Sequence, residues 1–124
     1  MSPEHLENLA STVIEQTLRR LPEAIRRAAE ACLIETAWMA EAVKHEPDLA
    51  EDTLGLFEGQ SHEAGEFASG PGDLPRIRLF LDNLWDYAEQ DRETFREEVR
   101  VTLLHELGHY LGMDEDRVEE LGLG

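Results

Sequence analysis

His105, Glu106 and His109 are the residues of this chain best suited to chemistry. They stand in the run His105-Glu-Leu-Gly-His109, inside a stretch from Glu97 to Leu111 that is patterned as a helix. On a helix, residues four apart lie about 40° apart around the axis, so the two imidazoles face one point in space. One divalent ion can bridge them, and neutral imidazole suits zinc, which in catalytic sites takes three protein ligands and leaves a fourth position for water. Glu106 lies about 100° around the helix from His105, on the shoulder of that face. It is badly placed as a ligand and well placed as the general base for an ion-activated water that attacks a carbonyl. The rest of the helix agrees. Val99, Leu103, Leu104, Leu107, Tyr110 and Leu111 share one broad arc, a core face, while Glu98, Thr102, His105 and His109 gather on another.

Gly112 follows the helix, and glycine ends a helix readily because it takes the left-handed conformation there. A sharp turn at that point brings the acidic run Met113-Asp-Glu-Asp116 back toward the two histidines. The third metal ligand is expected from this run, with Glu115 favoured and Asp114 and Asp116 as alternatives. Asp114 also suits the cap of a short terminal helix carrying Val118 and Leu121, a role compatible with ligation by Glu115.

His105-Glu-Leu-Gly-His-Tyr-Leu-Gly112 followed by acids resembles the HExxHxxGxxD signature of small bacterial zincin-like metallopeptidases, a family long treated as a domain of unknown function and a minimal relative of the metzincins. Upstream, Thr53-Leu-Gly-Leu-Phe-Glu-Gly59 is similar to the family's LGLYxG strand, and Leu74-Pro-Arg-Ile-Arg-Leu-Phe80 to its LPxxIxLY strand. The resemblance spans residues 50 to 122. It implies histidine ligands at His105 and His109, the catalytic glutamate at Glu106, the turn glycine at Gly112 and the terminal acidic ligand at Glu115. At that last position this chain has Glu where the family pattern has Asp, with an Asp on either side.

The remainder of the sequence bounds the reading. A length of 124 residues with 41% hydrophobic side chains predicts one globular domain, spanning 1–124, with a single core. No apolar run approaches the roughly 20 residues that cross a bilayer, and nothing near Met1 resembles a secretory signal, so a soluble, cytoplasmic protein is expected. The single cysteine, Cys32, excludes an internal disulfide framework and reads as a small buried hydrophobe. With 28 acidic against 11 basic residues and a net charge of −17, the chain lacks the basic surface that nucleic acids and anionic membranes require. If that field acts in function, it favours cationic partners or substrates bearing Lys or Arg.

Local signals predict the elements that position the motif. Ser2-Pro3 starts an amphipathic helix over residues 3 to 20, and Leu21-Pro22 breaks it before a second helical stretch through Ala29. Residues 31 to 44 are ambiguous between helix and strand, and the family resemblance favours a strand for the first half. Residues 53 to 58 and 76 to 81 read as strands, the second with alternating Ile77, Leu79 and Leu81. Gln60 to Pro75, rich in Gly, Ser and Pro, reads as a loop with room for a short His62 to Phe67 strand. Asn83 to Ala88 is expected as a short helix burying Trp85, and Asp91 as the cap of the motif helix.

The expected architecture is α+β: a minimal zincin-like fold in which a small mixed sheet of three to five strands packs against the HExxH helix, with an N-terminal helix on another side. An edge strand in such folds lies beside the metal cleft and aligns an extended peptide, a task suited to 53 to 58 or 62 to 67. The expected function is a zinc-dependent metallopeptidase acting on peptide or protein substrates, with Glu106 as base and His105, His109 and Glu115 as ligands. The alternative is a metal-binding structural or regulatory module that cleaves nothing. Glu106 and the lack of an evident fourth ligand favour hydrolysis, although spacing singles out no Tyr or His as oxyanion stabiliser. Zn2+ is the expected ion, and a site of two histidines and one carboxylate also accepts iron, manganese, nickel or cobalt.

Overall fold

A computed structural model describes residues 1–59 and 75–113. Helix α1 (Pro3–Arg19) begins where the sequence predicts, with the Ser2 hydroxyl accepting from the His5 backbone N–H at 3.2 Å and proline in the first turn. Its apolar stripe buries Leu6, Ala10 and Val13. After Leu21-Pro22 the chain forms α2 (Glu23–Glu30). The ambiguous stretch then divides into strand β1 (Leu33–Ala37) and helix α3 (Met39–His45). Both halves take their identity from partners far along the chain. β1 gains a parallel ladder with β3 (Arg76–Phe80), in register from Leu33 opposite Arg76 to Ala37 opposite Phe80. The Asp82 carboxylate accepts from the Met39 and Ala40 N–H groups at 2.8 and 3.0 Å and so caps α3 from outside.

Strand β2 (Gly55–Glu58) pairs antiparallel with β3, giving a mixed three-stranded sheet of order β1-β3-β2. Among the described residues, β2 is therefore an edge strand. Helix α4 (Leu81–Tyr87) follows β3 directly and buries Leu81 and Leu84, while Trp85 stays half-buried with its ring edge-on to Phe95 at 5.7 Å. Helix α5 (Arg92–Tyr110) carries the motif. It is capped by Asp91, whose carboxylate accepts from the Thr94 N–H at 2.9 Å and the Thr94 hydroxyl at 2.7 Å.

One face of the sheet, carrying Ile77 and Leu79, rests on the buried stripe Phe95, Val99, Leu103, Leu107 and Tyr110 of α5. α1 lies alongside α5 and also reaches β1, sharing that side of the sheet and not covering a separate one. The opposite face of the sheet is held differently. There the Arg78 guanidinium, 6% exposed, forks onto Glu46 at 2.6 and 2.9 Å and donates to Glu58 at 2.6 Å, with its carbon 5.4 Å from the Phe80 ring centre. Two carboxylates hold the Arg78 charge firmly, and the guanidinium in turn keeps Glu46 below the usual carboxylate range. These bonds tie the segment after α3 and strand β2 to the central strand.

Candidate metal centre

The site is built on the last two turns of α5. Burial of Val99, Leu103, Leu107 and Tyr110 fixes the rotation of the helix, and that rotation turns His105 and His109 outward to solvent. Their Nε2 atoms face each other at 3.1 Å, with ring centres 4.7 Å apart and ring planes at 87°. Two nitrogens can each lie about 2.0–2.1 Å from one zinc ion only if they are within about 4.2 Å of each other. The 3.1 Å separation meets that condition, so the donor pair fits a divalent ion. The Glu106 carboxylate completes the cluster: one of its oxygens and the two imidazole nitrogens all lie within 4.8 Å of one another. A single water spans such a gap.

Glu106 is only 8% exposed although His105 and His109 are open to solvent. The cause is β2, which crosses α5 with Phe57 against Tyr110 (ring centres 5.7 Å) and Gly55 against Thr102 and Glu106. The polar arc expected from the helix pattern is thus split. His105 and His109 are exposed, whereas Thr102, expected beside them, is buried under the strand. The sequence reading missed Gly55 as part of this arrangement. A glycine inside a strand pattern is the signal that marks such a close approach of backbone to another element.

Helix α5 ends as the glycine predicts. Gly112 has φ 71°, its N–H donates to the His109 carbonyl at 3.1 Å, and the Met113 N–H donates to the Gly108 carbonyl at 2.8 Å. This double closure is the Schellman arrangement, which turns the chain back sharply at the helix end.

A sequence model of zincin-like metallopeptidases matches residues 31–124. The chain belongs to the zincin-like metallopeptidase family. The match takes in every element from β1 to α5 and reaches further upstream than the resemblance at residues 50 to 122. A search of the curated proteins finds no match. Membership of this family implies a divalent metal, typically zinc, and the His105–Glu106–His109 cluster provides a group able to hold one.

The other candidates sort by position. Glu115, Asp114 and Asp116, expected to supply the third ligand, lie outside the described residues, as does the short strand expected from His62 to Phe67. His5 on α1 and His45 at the end of α3 take no part in the cluster. Tyr110 is core, as its angle on the helix predicts: it is 2% exposed and its hydroxyl donates to the Ala28 carbonyl at 3.0 Å. Cys32 is buried, and burial pushes its thiol up to about 11, which suits a packing residue and not a nucleophile or ligand. No described helix is long and apolar enough to cross a membrane.

Proposed function

We propose that this chain hydrolyses peptide bonds, with His105 and His109 holding a zinc ion together with an acid from the segment after Gly112, Glu115 first. The observation that carries the reading is the pair of Nε2 atoms at 3.1 Å with a glutamate carboxylate alongside, in a member of a peptidase family. When bound, the ion supplies the Lewis acidity that polarises a scissile carbonyl and acidifies the attacking water. Glu106 accepts the proton of that water on its carboxylate and delivers it to the departing amine. Its half-enclosed position under β2 supports this role, because a fixed carboxylate needs no reordering at the moment of proton transfer. β2, an edge strand among the described residues, lies against the Glu106 stem and suits an extended peptide added as a further strand.

The test is Glu106→Gln, which keeps shape and removes the base. Zinc content of the purified protein should stay unchanged while cleavage of a peptide library falls by about 10²–10⁴-fold. Cleavage that survives the substitution would eliminate the mechanism. Zinc bound by the parent protein without any cleavage would instead favour a non-catalytic metal module.

A further inference from the structure

Gly55 is the point where β2 presses hardest on α5. A Cβ placed there would meet the Thr102 Cγ2 at 2.6 Å, the Glu106 Cγ at 3.3 Å and the Leu79 Cδ2 at 3.3 Å. The first distance is far inside the roughly 3.5–4.0 Å at which carbon atoms rest. The Thr102 methyl sits on a buried β-branched side chain inside a helix, where χ1 is restricted to about two wells, so it has little room to move aside. Leu79 is fully buried and closes the third side. Any side chain at position 55 must therefore displace the packed Thr102 side chain or drive β2 and α5 apart by about 1 Å. The strand has little freedom to absorb this. Asn83 donates from its amide to the Glu51 and Thr53 carbonyls at 2.7 and 2.8 Å, and the Phe80 N–H donates to the Leu54 carbonyl at 2.9 Å.

We propose that Gly55 is a positioning residue for Glu106. By presenting no side chain, it lets the edge strand lie directly on the Thr102 methyl and the Glu106 stem, which fixes the carboxylate beside the imidazole pair and keeps the strand edge within reach of the same point. The role in cleavage rests on the proposed function; the spacing itself does not.

The experiment compares the parent protein with G55A, T102S and G55A/T102S, since T102S removes the methyl that the new Cβ would strike. In metal-free protein, G55A should lower Tm by about 5 °C or more. T102S should recover at least half of that loss when added to G55A, a non-additivity expected only of groups in contact. In zinc-loaded protein, G55A should lower kcat by about 100-fold, as a displacement near 1 Å does, with KM changed less than about threefold. The double variant should regain at least tenfold of that loss. Zinc affinity measured by equilibrium titration should stay within about threefold in all four proteins, because none of the three nearest atoms belongs to His105 or His109.

Additive Tm effects, a kcat loss that T102S does not relieve, or a parallel loss of zinc affinity would each overturn the assignment. Should G55A alone fail to fold, the double variant decides: it must fold and cleave for the assignment to stand. A parent protein that cleaves nothing would overturn the proposed function, and the metal-free Tm comparison would still decide the spacing.

Discussion

Zinc should raise the melting temperature of this protein, and the rise should depend on His109. The two imidazole nitrogens stand 3.1 Å apart, a separation that suits a shared ion. A ligand that binds only the folded state stabilises it by about 2.7 kcal/mol when present at a hundred times its dissociation constant. For 124 residues, an unfolding entropy of about 0.26 kcal/mol per degree converts this to a rise near 10 °C. In His109→Ala the ion would lose one of its proposed direct ligands. Affinity should fall by at least the roughly 100-fold seen when an outer partner of a ligand is removed. At the same free zinc the remaining stabilisation is about 0.4 kcal/mol, or between 1 and 2 °C. His109 is exposed, and alanine is a better helix former, so the metal-free Tm of the variant should differ little from the parent. The assay is scanning calorimetry at matched free zinc, with EDTA as the baseline. A full-sized zinc shift retained by His109→Ala would refute the claim that this histidine is a ligand, and no shift in the parent would refute the site.

Two further outcomes test the scaffold. Leu103, fully buried on α5 between the sheet and α1, should cost about 3–5 kcal/mol in urea unfolding when replaced by alanine; a loss below about 1 kcal/mol would mean that α5 is not anchored there. The Asp91 carboxylate, held below the usual aspartate range by the Thr94 N–H and hydroxyl, stabilises α5 more when ionised than when protonated. A depressed folded-state value means that this contribution is complete at neutral pH and disappears as pH falls through and below the ordinary aspartate range. Tm curves of the parent and Asp91→Asn should therefore separate near neutrality and converge in acid, whereas curves parallel at every pH would contradict the account.

That His105 and His109 share one exposed face was readable in the residues because it depends on one local rule, the 3.6-residue period that stacks one over the other. The caps at Ser2 and Asp91 and the stop at Gly112 were readable for the same reason, since each is decided within three or four residues. What escaped depends on distant partners. The stretch from Ala31 to Lys44 could not be divided from its own composition, because β1 is defined by pairing with Arg76–Phe80 and α3 by a cap from Asp82. Thr102 looked solvent-facing on a helical wheel, and only the passage of Gly55 over it makes it core. The connection between α4 and α5 carries no glycine or asparagine, yet Glu89 and Gln90 both take left-handed backbone angles, φ 56° and 58°. Arg78 likewise read as an alternating strand residue, and nothing in its neighbourhood announces Glu46, far upstream, as its partner.

The closure at Gly112 has a consequence for selectivity. The end of a helix normally frays, and His109 stands in the terminal turn of α5. Because the carbonyls of Gly108 and His109 are already engaged by the returning chain, this turn is stitched at its rim, and the second imidazole does not wander with an unravelling end. A cation held by the proposed histidine pair would meet a chelate of nearly constant bite. Ions whose preferred geometry tolerates that bite would be retained, and those that need it wider or narrower would have to distort a helix end that resists them.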